Sequence, residues 1–308
     1  MRNEATDWMH DYETALLDNN VNVNRLVSIA SEHFPKRLYR YGSFEKPGWE
    51  SVLFHGIVQV SSPYYFNDPF DCELSLTNDI VQLESVKERL IKDLKVMLKI
   101  KEYDINRIKY SDNLPEDIKI VVSHYGLKFK TDVFMDEVKR ICDNGSVEFK
   151  KSIGAICFAE DPFSILMWSH YAHYHTGYCL MFEFPNDSLI FKSTYPVVYS
   201  HSRLKYSDQI KHHDDRWALK AMLCKSSDWS YEHEWRFLSV KIPPGSSVEF
   251  KFIPTVDLSK YIRGIYLGAK VDTEIETKVC EFGKQNNLQI FKMELSNEYY
   301  KLISKQIV

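Results

Sequence analysis

Short apolar runs of strand length recur along this chain from Leu38 to Met293, most of them closed by a glycine or a proline, and one long stretch between them has helical spacing instead. Short strands with helices in between, and no sequence repeat, predict an α+β fold of mostly antiparallel short-strand sheets with one helical insertion. The strand-like runs are Leu38–Tyr41, Ile57–Ser62, Ile153–Ala159, Tyr178–Phe184, Val197–Tyr199, a segment ending at Leu238, Val248–Phe252, Tyr261–Gly268 and Leu288–Met293. Helices are expected over residues 8–34, from Gly48 to a stop at Gly56, from Asp161-Pro162 through Ala172, from Trp217 to Leu223 and from Thr273 to Lys284.

The chain reads as a single domain over residues 1–308, with a helical preface over 1–35 and the insertion over 79–146. Within the insertion Lys and Glu are abundant, and Val86, Leu90, Leu94, Met97 and Leu98 recur at helical intervals. Two to four helices broken near Pro115 are expected, packed as a subdomain or lid, or simply laid over a sheet face. Lys92, Lys95, Lys99 and Lys101 are balanced by nearby acids and read as a solvated face, not a nucleic-acid patch.

At 308 residues, 44% hydrophobic and 27% charged, the chain has enough apolar material for one large core or two modest ones. Its net charge of -4 supplies no global attraction to nucleic acid or to an anionic membrane. The cysteines at 72, 142, 157, 179, 224 and 280 are scattered without a C-x-x-C pair, so reduced, mostly buried thiols are expected. The first residues show no basic segment followed by an apolar one, and no uncharged apolar run approaches the length of a membrane span. A cytoplasmic location without membrane partners is the expectation.

The segment Ser227–Leu238 concentrates acid, base and aromatic groups. Taken as a strand of period two, it places Glu232, Glu234 and Arg236 on one face and Tyr231, His233, Trp235 and Phe237 on the other. Carboxylates beside a guanidinium are costly to bury unless they pair or bind something polar. That face therefore reads either as a site or as an Arg-Glu ladder that fixes strand register.

The P-loop, dinucleotide-fold, zincin and nucleophile-elbow motifs are all missing from the sequence. His170, His173 and His175 cluster within six residues, yet no further ligand set accompanies them, and Tyr171 and Tyr174 favour a packed helix end over a metal site. Asn67, Asp68 and Asp71 flank Pro69 and read as an Asx-turn that caps a loop.

Four blocks, Leu38-Tyr-Arg-Tyr41, Asn67-Asp-Pro-Phe-Asp71, Met167-Trp-Ser-His-Tyr-Ala172 with His175-Thr-Gly177, and Glu232-His-Glu-Trp-Arg236, together resemble a large bacterial family of unknown function. That family is in turn similar to the ADP-ribosyltransferase fold, a split-sheet α+β architecture. The resemblance implies that Arg40 holds a ribose or phosphate of NAD, that Ser61 or the aromatics Tyr64 and Phe66 occupy the second motif position, and that Glu234 binds a ribose hydroxyl while positive charge forms on the sugar. Glu232 would orient an acceptor or act as general base, and Arg236 would add a ligand contact. NAD then enters as a substrate, with no tightly bound cofactor and no metal.

The chain departs from that pattern in having Arg40-Tyr41-Gly42 in place of a His with a nearby hydroxyl, and in setting Ser61-Ser62 against the rigid Pro63. Three functional readings remain open. The first is an NAD-consuming ADP-ribosyltransferase or NAD glycohydrolase of toxin or phage-defence type, with an unknown macromolecular acceptor. The second is a catalytically inactive module that binds a nucleotide or a protein, and the third is a metal-dependent phosphodiesterase or nuclease using Asp68, Asp71 and the histidines.

Overall fold

A computed structural model of the chain describes residues 7–73, 75, 81, 84–205, 216–241, 249–250 and 254–308. The preface forms α1 (Asp7–Leu17) and α2 (Val23–Glu32), the second started by Asn22, whose side chain accepts the Arg25 N–H. There follow β1 (Leu38–Gly42), α3 (Trp49–His55) and β2 (Ile57–Gln59). Gly56 ends α3 at φ +65°, and a Cβ at this position would lie 2.4 Å from the Ser259 backbone, so both conformation and space require glycine.

The insertion contains α4 (Glu84–Leu98), α5 (Glu102–Lys109), α6 (Leu114–Ser123) and α7 (Thr131–Ser152). Pro115 sits in the first turn of α6, where its missing N–H leaves no helical bond unmade. Asp79 and Ile80, where the insertion was expected to begin, lie outside the described residues. Leu94, Ile105, Ile108, Leu114, Ile118 and Val121 form a buried cluster of their own, separate from the main core. Lys150, near the end of α7, ties the insertion to the remainder of the chain: its ammonium donates to Glu73 Oε2 at 2.8 Å and to the Pro69 carbonyl, and its own carbonyl accepts the Ser62 hydroxyl.

After the insertion come β3 (Ala155–Ala159), α8 (Ile165–His170), β4 (Tyr178–Phe182), α9 (Leu189–Lys192), β5 (Thr194–Pro196) and β6 (Val198–Ser200). These are followed by α10 (Trp217–Leu223), β7 (Cys224–Ser226), β8 (Glu234–Leu238), β9 (Val240–Lys241), β10 (Glu249–Phe250) and β11 (Thr255–Asp257). The chain closes with β12 (Ile262–Leu267), α11 (Thr273–Asn286), β13 (Gln289–Leu295) and β14 (Leu302–Gln306). Eight strands make one sheet in the order β14-β13-β12-β4-β1-β3-β8-β5. Within it β12 and β13 run parallel, joined by α11, and the other neighbours are antiparallel. The protein is thus mixed α/β with mostly antiparallel sheets, and no described helix is long and apolar enough to cross a membrane.

Alternation along the strands divides the packing between the two sheet faces. Leu38, Ile156, Phe158, Leu180, Phe182, Trp235 and Phe237 join a large core with residues of α1, α2 and α10. Tyr39, Cys179, Met181 and Tyr266 face the other way and pack with Trp168 and Ala172. Because β4 is covered on both sides, all five of its residues are buried, which is why it reads as a continuous apolar run.

Several local expectations are corrected. The period-two reading of 227–238 fails at its first half: Ser226 caps a 3-10 turn over Ser227–Glu232, His233 adopts φ +43°, and the strand begins only at Glu234. Tyr231 and His233 therefore do not share a core face with Trp235 and Phe237. The helix expected from Asp161-Pro162 starts instead at Ser164, whose hydroxyl caps it, while Asp161 accepts the Phe163 N–H in an Asx-turn. The strand from Ile57 stops at Gln59, and Ser61 separately bridges Ala155. Of the expected Val248–Phe252 strand, Glu249–Phe250 are paired in β10, and residues 248, 251 and 252 lie outside the described residues, as does the Cys142 side chain.

Candidate functional site

The sheet opens where β1 leaves β3. These central strands share one register pair, Tyr39 with Ala159. Beyond it the edge of β3 is taken up by Ser61, which exchanges both backbone hydrogen bonds with Ala155 at 2.9 and 3.0 Å. Between these two pairings the Cys157 carbonyl has lost its strand partner, and Arg40 Nη1 donates to it at 2.9 Å. A cleft of about 310 Å3 lies at this parting.

Strand β8 delivers charge to the cleft. Glu234 and Arg236 alternate with the core residues Trp235 and Phe237, and they stand opposite Ala159 and Cys157 of β3. Arg236, fully buried, donates from Nε and Nη2 to the Glu234 carboxylate at 2.8 and 2.9 Å, and from Nη1 and Nη2 to Asp71 at 2.8 and 2.7 Å. Nη1 also donates to the Met222 carbonyl, so every N–H of this guanidinium is used within the protein. Arg236, expected from the sequence as a ligand contact, has no donor left for one.

Glu232 reaches the same place by another route. The 3-10 turn after β7 folds it back toward the strand, where Lys225 Nζ donates to Glu232 Oε2 at 2.5 Å and to Glu234 Oε2 at 3.2 Å. Tyr171, at the end of α8, donates its hydroxyl to Glu232 Oε1 at 2.6 Å, and Asn67 donates to the Tyr171 oxygen at 3.3 Å. Three buried carboxylates, Asp71, Glu232 and Glu234, thus share two buried cations, Lys225 and Arg236. Such burial is tolerated because each charge has a short, directed partner.

The two glutamates are driven apart in acidity. Burial would raise the Glu234 carboxyl, but Arg236 and Lys225 outweigh it and hold it at about 2. Burial dominates at Glu232, and the neighbouring Glu234 charge adds to it, so this carboxyl lies above its ordinary value despite Lys225. Burial, with Glu232 beside it, pushes the Tyr171 hydroxyl far up, so it donates as a neutral phenol.

Arg40, Ser61, Phe66, Glu232, Glu234 and Arg236 all line the one cleft, although they come from three separate stretches of the chain. Tyr64 does not: it is largely exposed, with its ring against Tyr65 and under the Lys151 ammonium. Phe66 lies against the Arg236 guanidinium at 5.5 Å. Sequence reasoning missed Lys225, and the one available signal is a lysine set between the apolar end of α10 and a polar turn. It also misread Asp71. Asp68 does form the expected Asx-turn, accepting the Phe70 N–H, but Asp71 pairs with Arg236. Trp168 packs beneath, fully buried, while His170 and Tyr171 line the cleft. His170 Nδ1 is hydrogen-bonded to the Tyr231 hydroxyl and His175 Nε2 to the Ser169 hydroxyl, so these two histidines have separate partners. Among the described residues no group of His, Cys, Asp and Glu has the arrangement of a metal site.

Residues 167–237 match the family described as protein of unknown function (DUF2971). The match runs from α8 to β8 and so contains Tyr171, Lys225, Glu232, Glu234 and Arg236, together with two of the four sequence blocks. Arg40, Ser61, Phe66 and Asp71, which complete the cleft, lie before it. No curated protein and no solved structure gives a significant match to the chain.

Proposed function

We propose that the cleft binds NAD and cleaves its nicotinamide–ribose bond, passing ADP-ribose to an acceptor or to water. One observation carries this reading: Arg40, Ser61 and Glu234, distant in sequence, line a single cleft where two central strands part. In the reaction the ribose C1′–N1 bond breaks, nicotinamide leaves with the bonding pair, and positive charge develops on the sugar. Glu234, ionised at any ordinary pH, is a fixed carboxylate that would stabilise this charge more in the transition state than in the bound substrate. Glu232, the less acidic of the pair, would accept the proton released when water or an acceptor group bonds to C1′. Arg40 retains donors for a phosphate oxygen, and Phe66 or Tyr41 offers a ring for the nicotinamide. A cleft of this size would enclose the reacting end of a dinucleotide and leave the remainder over its mouth.

A binding module without catalysis is favoured by a different feature, the complete pairing of Glu234 with Arg236 and Lys225. The metal-dependent phosphodiesterase reading has less support, since Asp71 is taken up by Arg236. Nicotinamide release by the native chain and by Glu234→Gln, with NAD-dependent thermal stabilisation measured on both, separates the first two. Catalysis predicts stabilisation of both proteins and a loss of release of about 100-fold or more in the variant. Stabilisation without release from the native chain would leave the binding module, and neither effect would remove NAD from consideration.

A further inference from the structure

The cleft has a second wall of opposite character. After β1 the chain turns at Ser43, whose carbonyl accepts the Lys46 N–H and whose hydroxyl accepts the Glu45 N–H, and this turn returns Lys46 to the cleft beside Arg40. Among the described residues neither Arg40 nor Lys46 has a carboxylate partner. Asp71, Glu232 and Glu234, the acids that line the same cleft, are bonded to Lys225 and Arg236. The Lys46 ammonium is held below its ordinary value, by partial desolvation at the cleft first and by the nearby Arg40 charge second.

We infer that Arg40 and Lys46 form an anion subsite that takes the diphosphate of a nucleotide, with Lys46 supplying a contact absent from every motif of the chain. The inference rests on the reading of this cleft as a nucleotide site but not on cleavage. An unpaired cation pair at the edge of a cleft whose carboxylates are already neutralised selects a compact ligand carrying negative charge at one end. The net charge of -4 disfavours an extended polyanion, which leaves a small nucleotide as the ligand favoured by charge.

The test is ADP binding, by calorimetry at low salt, to the native chain and to Lys46→Ala, Lys46→Glu and Lys46→Arg, with adenosine as the uncharged control and nicotinamide release from NAD measured alongside. The Lys46 side chain keeps much of its surface in solvent at the cleft edge and is only partly desolvated, so these variants are expected to fold with a nearly unchanged melting temperature. The expected result is ADP affinity about tenfold weaker in Lys46→Ala, weaker still in Lys46→Glu and restored in Lys46→Arg, with adenosine indifferent to all three. Equal ADP affinity in the native chain and Lys46→Ala, or no ADP binding to the native chain, overturns the subsite; NAD cleavage that continues in that case leaves the proposed function standing. Loss of ADP binding in Lys46→Ala from a chain that releases no nicotinamide supports the subsite and removes the cleavage reading.

Discussion

Asp71 meets Arg236 through paired hydrogen bonds of 2.8 and 2.7 Å, joining a loop that follows β2 to a strand 165 residues later. Both side chains are nearly inaccessible, so the contact sets the position of Glu234 as well as its own. Asp71→Ala leaves Arg236 with one carboxylate for two and is expected to lower stability by about 3–5 kcal/mol. Denaturant unfolding of the two proteins measures this; a loss under about 1 kcal/mol would show that the pair does not hold the loop.

The opposed acidities of the two glutamates give the stability curve a shape. Glu234 is depressed from 4.5 to about 2, so its contribution is complete above pH 4.5 and is lost as pH falls from there toward 2. A difference of this size amounts to about 3 kcal/mol. Glu232 is raised, so its contribution is complete below its unfolded value of 4.5 and is lost as pH rises through its folded value. Glu234→Gln should flatten the acid limb of stability against pH, and Glu232→Gln should remove a decline that begins above pH 4.5. Parallel curves for native and Glu234→Gln between pH 2 and 4.5 would contradict the assignment.

Lys225 neutralises two glutamates at once, at 2.5 and 3.2 Å. Lys225→Met should cost about 3–5 kcal/mol by leaving buried carboxylates short of a cation. Adding Glu232→Gln should recover part of that loss, because one of the stranded charges is then gone. The double-mutant cycle is expected to show a coupling of about 1–3 kcal/mol, and strict additivity would mean that the two side chains do not interact.

Gly56 offers a check on the fold away from the cleft. Gly56→Ala must hold a side chain at φ +65° against the Ser259 backbone 2.4 Å away. A loss of at least about 1–2 kcal/mol in unfolding free energy is expected, with NAD or ADP binding to the folded fraction unchanged.

Much of the fold is legible in local pattern. Trp217–Leu223 is helical as its composition predicts, and β1, β3, β4 and β12 fall on the runs that suggested them, because burial on one or both sheet faces imposes apolar residues at fixed intervals. The failures have local causes of a different kind. Ser227–Glu232 carries a strand-like alternation, yet the Ser226 hydroxyl caps a 3-10 turn there and His233 reverses the backbone. Asp161-Pro162 looks like a helix start, but the side chain of Asp161 is satisfied one turn early. β5 and β14 at the two sheet edges carry no signal strong enough to separate them from loop.

The sequence by itself marked most of the elements and the unusual concentration of charge at Glu232, Glu234 and Arg236, both visible in residue types at short spacing, while the interest of Arg40 came from the resemblance carried by the four blocks. Only the tertiary structure decided their roles. Arg236 faces inward to Asp71, Lys225 joins the two glutamates, and Arg40 stands with Lys46 across the cleft, all through contacts set by the order β1-β3-β8 in the sheet. Side-chain periodicity is a property of a few neighbouring residues, whereas the partner of a buried charge is set by strands that meet only once the whole sheet has formed.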